Sequence, residues 1–249
     1  MIRQTLKRRA VRARADSTIR LGTERARIVA WGEGCRAALI TTAPAMTLLS
    51  AHFVAHCVEV AAARGFGELR TGALGPLEQV AFLQAGFEVR SELTILTIRL
   101  DTAGAAPDSA WRFADFEQRR FPDLVYLDQA AFGENCGFGI STLREAIAAT
   151  PSTRIRGALD QAGELKGYAL FGRSGFNGYV QRLAVNPSAQ RRGAGRGLLA
   201  DGLGWMSRSG VDRVFVNTER TNAAALALYR SAGFEEQIST LSTLSVTIR

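Results

Sequence analysis

The chain carries a second copy of part of itself, and this repeat narrows the folds open to it more than any other feature. Ala81-Phe82-Leu83-Gln84-Ala85-Gly86-Phe87 and Leu228-Tyr229-Arg230-Ser231-Ala232-Gly233-Phe234 both close on Ala-Gly-Phe. Each is followed by an alternating Ser/Thr-rich stretch, Leu93-Thr94-Ile95-Leu96-Thr97-Ile98-Arg99 in one and Leu244-Ser245-Val246-Thr247-Ile248-Arg249 in the other. Upstream, an apolar run ending at Ile40 lies 25 residues before Gly65, and one ending at Val185 lies 25 residues before Gly210. Equal spacing over a strand, a helix and a turn marks two related units, the first shorter by two residues in its last connection. Between them, Asp101-Thr102-Ala103-Gly104-Ala105-Ala106-Pro107-Asp108 is small and polar with Gly and Pro, as linkers are. The reading is a first domain at 18–100, a linker at 101–108 and a second domain at 109–249.

A length of 249 residues suits two such domains, and 47% hydrophobic with 22% charged residues is the balance of a globular protein. No apolar run approaches the ~18 residues of a membrane span, so no membrane association is expected. Cys35, Cys57 and Cys136 are widely spaced, which argues against a disulfide scaffold or a Cys-based zinc site and fits a reducing cytoplasm. His52 and His56 have a metal-pair spacing, with Cys57 and Glu59 nearby, but no further ligand cluster joins them, so no metal is expected. The net charge of +8 is concentrated at one end: residues 1–30 hold nine Lys/Arg against Asp16 and Glu24. No aromatic residues are interleaved there as stacking platforms, so the basic start reads as a solvated arm and nucleic-acid binding is not expected. No apolar segment follows it, so no signal peptide is expected.

In the second domain, Trp111-Arg112-Phe113 reads as an opening strand and Asp115–Ala131 as a helix that Pro122 should kink. Leu143–Ala149 reads as a helix with Ser141 or Thr142 as N-cap. Arg154–Leu159 and Leu165–Phe171 are strands around the turn Asp160-Gln161-Ala162-Gly163, and Tyr179–Val185 is the next strand. Gln190-Arg191-Arg192-Gly193-Ala194-Gly195-Arg196 then leads into a helix marked by Leu199, Leu203 and Met206 at i, i+4 and i+7; Trp205 and Met206 read as core. Glycines let backbone N–H groups converge on an anion, Arg191 and Arg192 add charge, and the helix N-terminus adds unpaired donors. The loop is neither G-x-G-x-x-G nor G-x-x-x-x-G-K-[ST]. A pyrophosphate site without nucleotide-hydrolysis chemistry points to coenzyme A. Val211–Val216 follows as a strand, then a helix with Asn222 at its N-cap and Gly233 at its C-cap.

The loop Gln190–Gly195 after a strand, together with Asn222-x6-Tyr229-x3-Gly233-Phe234, resembles the GCN5-related N-acetyltransferase (GNAT) superfamily over most of residues 109–249. The resemblance implies an α/β (α+β) fold of two tandem units, each a mixed, mostly antiparallel sheet flanked by helices. It implies acetyl-CoA as co-substrate. The backbone of Leu183, Ala184 and Val185 would pair with the pantetheine arm and offer an N–H to the oxyanion. Gln190, Arg191, Arg192, Gly193, Ala194, Gly195 and Arg196 would hold the pyrophosphate, and Asn222 would contact the cofactor. Tyr229 would be the general acid that protonates the departing thiolate. A neutral primary amine, on a small molecule or a peptide, would attack the thioester directly. The general base is left open: relatives often use a Glu or a water chain reached from the central strands, where this chain carries Gln181 and Arg182; Asn217 could position a water, and Glu134 and Glu219 are candidate carboxylates. The cofactor residues are most similar to those of ribosomal-protein N-terminal acetyltransferases, and the tandem plan is similar to that of mycothiol synthase.

Laid over the second copy, the first lacks this machinery. Gln190–Gly195 falls opposite Ala45-Met46-Thr47-Leu48-Leu49-Ser50, Tyr229 opposite Phe82 and Asn222 opposite Gly75. The first domain is therefore read as a degenerate half without coenzyme A binding. Cys136 has no histidine within the second domain to activate it as a nucleophile. The alternative function is a non-catalytic acyl-CoA-binding or regulatory protein that docks an acidic partner or nucleic acid through its Arg-rich start, and steep salt dependence would mark it.

Overall fold

The computed structural model describes residues 18–32, 35–42, 48–100, 111–133 and 137–248. The 101–108 linker, the arginines from Arg3 to Arg14, Ala45–Thr47, Glu134 and Cys136 lie outside the described residues. The chain forms two compact units. One comprises residues up to Leu93 together with Thr240 onward, and the other is Thr94–Ser239.

The first unit contains β1 (Thr18–Leu21), β2 (Glu24–Ala30), β3 (Ala37–Thr42), α1 (Ala51–Ala63), β4 (Glu68–Thr71), α2 (Pro76–Gln84) and the start of β5 (Glu88–Arg99). β1, β2 and β3 pair antiparallel, and β4 joins β3 in parallel, which requires the crossover that α1 supplies. The other edge of β4 is covered antiparallel by the end of β11 (Glu235–Thr247), with Ser245 opposite Arg70 and Thr247 opposite Glu68. Phe53, Val54, Cys57 and Ala61 of α1 are fully buried with Ile28, Leu69 and Leu244.

The second unit contains β6 (Arg112–Asp115), α3 (Phe121–Phe132), α4 (Ile140–Ala148), β7 (Ser152–Leu159), β8 (Leu165–Ser174), β9 (Asn177–Val185), α5 (Ala194–Arg208), β10 (Arg213–Glu219) and α6 (Ala223–Ser231). The strand order is β5-β10-β9-β8-β7-β6, with β9 and β10 parallel and β6 to β9 antiparallel. One sheet face packs Tyr168, Leu170 and Ala184 against Leu124, Leu127 and Leu143 of α3 and α4. The other packs Phe171, Val180 and Val214 against Leu198, Leu199, Met206 and Tyr229 of α5 and α6. This is a mixed α/β fold with helices on its sheet.

The repeat is visible atom by atom. α1 and α5 end alike: the Phe66 N–H donates to Ala61 O and the Val211 N–H to Met206 O, both at 3.1 Å. Gly65 and Gly210 supply the left-handed residue between, at φ 84° and 74°. α2 and α6 end alike as well: Phe87 N–H to Phe82 O and Phe234 N–H to Tyr229 O, both at 3.0 Å.

Three features differ from the sequence reading. Residues 94–99 lie in the second unit beside β10, where the Leu100 N–H donates to Asp212 O at 3.0 Å, while residues 240–247 lie in the first. Each unit is thus completed by a strand from the other half of the sequence. Pro122 does not kink a helix. It sits in the first turn of α3, where its missing N–H has no partner to lose and its fixed φ suits the helix. α4 begins at Ile140 with no side-chain cap, because its N-cap is Gly139, and Ser141 and Thr142 both lie inside its first turn.

Gly202 of α5 lies against the fully buried Phe171, and an added Cβ would sit 2.2 Å from that ring. Ala gains roughly 1 kcal/mol of helix propensity over Gly, but overpacking a core costs about 1–3 kcal/mol. Gly202→Ala should therefore lower the urea midpoint. Gly204→Ala, which meets only the flexible Arg208 tip at 3.3 Å, should raise it.

Candidate active site

β9 and β10 begin as partners and then part. They pair at Asn177–Arg213, Gly178–Val214 and Tyr179–Phe215, and the ladder stops there. The Tyr179 and Phe215 rings stack at 5.8 Å at this last pair. Just beyond it, β9 carries a bulge: Leu170 of β8 faces Arg182 and Phe171 faces Val180, leaving Gln181 as the extra residue. A bulge bends its strand and sharpens the local twist. The side of Val180–Val185 that would face β10 therefore has no strand partner, which is where the sequence reading puts the Leu183–Val185 contacts.

The open edge leads to the Gly-rich loop. Arg191 adopts a left-handed φ of 62°, Gly193 one of 84° at the N-cap of α5, and no side chain caps the helix. The Gly197 N–H returns to Gly193 O at 2.9 Å. None of the N–H groups from Arg191 to Arg196 has an acceptor among the described residues. Residues of alternating handedness ahead of a helix form a nest of converging donors, and the helix dipole adds positive charge. Arg191, Arg192 and Arg196 are exposed around it. The Gln190 side chain is turned back onto Val185 O at 3.2 Å, so it braces the loop.

The third predicted element meets the other two at Gly195. A Cβ added there would lie 3.6 Å from each of Leu183 and Val185 on β9 and Leu228 on α6. Asn222 caps α6, its Oδ1 accepting the Ala225 N–H at 3.1 Å. Tyr229 is 6% exposed, its ring 5.7 Å from Phe234, and its hydroxyl makes no hydrogen bond to the described residues. Burial pushes its phenol up to about 12, while the Arg182 charge pulls it the other way.

The sequence reading missed what holds Arg182. Its guanidinium grips Asp128 of α3 with two hydrogen bonds, 2.8 and 2.6 Å, between the rings of Phe132 and Phe138 at 3.7 and 4.1 Å. Asp128 is fully buried and also accepts the Tyr168 hydroxyl and the Phe138 N–H, each at 2.6 Å. Burial and the Asp128 charge hold the Tyr168 phenol well above its usual range. A signal existed: Asp128 falls in the same stripe as Leu124, Leu127 and Ala131, a core-facing position for a charged residue.

Among the remaining candidates, Asn217 and Glu219 are exposed on β10 past the point where it leaves β9. His56 meets Glu59 at 3.6 Å, and Cys57 is buried with its thiol pushed up to about 12. In the first unit, every residue of β4 is paired to β3, and Phe82 is 3% exposed in the place of Tyr229. No described helix is long and apolar enough to cross a membrane.

A parallel pair that opens toward an N–H cradle defines an α/β domain shaped for an extended ligand with an anionic end. Residues 113–234, most of the second unit, match the acetyltransferase (GNAT) family, so this unit holds a GNAT domain. It is 40% identical over 79 residues to a mycothiol acetyltransferase of Clavibacter michiganensis, covering 32% of this chain and 26% of that one. It is 42% identical over 91 residues to the N-alpha-acetyltransferase RimI of Mycobacterium tuberculosis, covering 35% and 55%. The chain thus spans well under two thirds of either relative's length in these matches. The fold is similar to that of a tandem GNAT protein from the clavulanic acid biosynthesis pathway, with a TM-score of 0.61 at 16% identity, covering 93% of this chain and 82% of that one.

Asp128→Ala leaves a buried guanidinium without its carboxylate and should cost about 3–5 kcal/mol. Tyr168→Phe removes one hydrogen bond to a charged group and should cost about 1.5–3 kcal/mol. Denaturant unfolding distinguishes the two, and a loss under ~1 kcal/mol for Asp128→Ala would contradict this account of the node.

Proposed function

We propose that the second unit transfers an acetyl group from acetyl-CoA to a primary amine of a small molecule or peptide. The observation that carries this is the unpaired edge of β9, which runs from the N–H cradle at Arg191–Arg196 to the elements around Tyr229. The cradle suits the pyrophosphate. The open edge suits the amides of the pantetheine arm and leaves a backbone N–H for the carbonyl oxygen of the thioester. Acetyl-CoA supplies the activated acetyl group. Relatives named mycothiol acetyltransferase and N-alpha-acetyltransferase support an amine acceptor without choosing between a small molecule and a peptide.

Tyr229 acts as general acid. A phenol pushed up to about 12 keeps its proton at neutral pH, so it can donate and cannot serve as the base. The amine attacks as the free base, its nitrogen bonding to the carbonyl carbon to give a tetrahedral intermediate; its collapse breaks the carbon–sulfur bond, the Tyr229 proton goes to the leaving sulfur, and the proton shed by the amine nitrogen passes through solvent to restore the phenol. The first unit binds no cofactor, because β4 is paired on both edges and the segment opposite the Gly-rich loop, Ala45–Ser50, carries neither glycine nor arginine; Phe82, in the place of Tyr229, has no proton to give to a reaction.

Calorimetry with acetyl-CoA should give one site per chain, abolished by Gly193→Glu, which puts a carboxylate at a left-handed position in the cradle. Two sites would overturn the reading of the first unit, and none would overturn the enzyme. Tyr229→Phe should leave acetyl-CoA affinity unchanged while lowering kcat by about 10²-fold or more. Wild-type kcat in that variant would remove the acid role.

A further inference from the structure

We propose that Trp111, just ahead of β6, is a positioning residue that sets the anion cradle of the second unit. This rests on the reading of that cradle as a pyrophosphate site. The Trp111 indole N–H donates to the backbone carbonyl of Arg192 at 2.8 Å, 81 residues away in sequence. The Arg192 guanidinium lies 5.9 Å from the centroid of the same ring, within cation–π range. One side chain thus holds both the backbone and the side chain of the central loop residue.

The consequence follows from peptide geometry. The C=O and the next N–H of a trans peptide point in opposite directions. With Arg192 C=O fixed on the indole, the Gly193 N–H points away from it, and the space at Gly193 is open: an added Cβ there would meet nothing within 4 Å. That N–H has no acceptor among the described residues. The same peptide lies next to the left-handed Arg191, a conformation costly for a residue with a Cβ. Trp111 lets the loop stay in this shape before a ligand arrives, so ligand binding does not have to order it. Partly buried against the α5–α6 side of the core, the ring is itself held in place.

A positioning role and a packing role separate on ligand choice. S-acetyl-pantetheine carries the thioester and the pantetheine amides but no pyrophosphate, so it never uses the cradle. Trp111→Phe keeps an aromatic ring without a donor. Replacing Trp111 by 3-benzothienylalanine keeps the bicyclic shape and removes only the N–H, which guards against a folding defect in the first variant. Both should raise the Kd and KM for acetyl-CoA about three- to tenfold, the range of one hydrogen bond. Saturated kcat and the kcat/KM for S-acetyl-pantetheine should not change. Equal losses on the two donors, or unchanged acetyl-CoA binding, would overturn the role of Trp111 while leaving the proposed reaction intact. A wild-type chain that binds no acetyl-CoA would overturn both.

Discussion

A strand that loses its neighbour part way along a sheet must find other partners for its backbone groups, because an unsatisfied N–H or C=O away from water is costly. β9 is in that position after Tyr179. The site follows from it: the stacked Tyr179–Phe215 pair at the vertex, the bulge at Gln181, and α5 starting with its donors unpaired. An extended ligand with its own amides could pair with that edge as a strand would.

The first unit shows the same repeat with the edge closed. Its parallel pair holds to the end of β4, whose other side is taken by residues 245–247. With both edges of β4 bonded to the chain's own backbone, that unit meets the same requirement from within. Its helix ends, its turns and its Phe82–Phe87 contact match the second unit, so the scaffold is shared where the open strand edge is not. Scaffold and groove are therefore separable properties of this fold, and the residues that distinguish them are few: a bulge, a Gly-rich loop and one phenol.

The sequence made the local parts legible. The helix ends at Gly65, Gly86, Gly210 and Gly233, the loop at Arg191–Gly195 and the Asn222 cap are all written in short-range pattern, which fixes backbone shape over a few residues. What was not legible depends on distant partners. The strands at 93–99 and 244–247 have nearly the same alternation, so the pattern says strand without saying whose edge it joins, and each lies mostly in the other half's unit. The bulge is a mismatch in count between β8 and β9, which neither strand shows alone. The kink expected at Pro122 depends on a helix start at Asp115; the helix starts at Phe121, six residues later, which puts the proline in its first turn.

Arg182 and Gln181 make sense in the light of the open edge. Having lost lateral support from β10, β9 is held from its face. Gln181 donates to Ala146 O on α4 at 2.8 Å, and Arg182 grips Asp128 on α3. Buried ion pairs add little net stability compared with well-packed apolar residues, because desolvating both charges offsets their attraction. They are strongly directional, however, and a two-point Arg–carboxylate contact fixes position and orientation together. A leucine at 182 would fill the space between Phe132 and Phe138 but would remove the two-point contact that ties this face of β9 to α3. The polar node therefore serves the geometry of the groove rather than the depth of the core, and its residual charge reaches Tyr229 without overcoming the burial that keeps the phenol protonated.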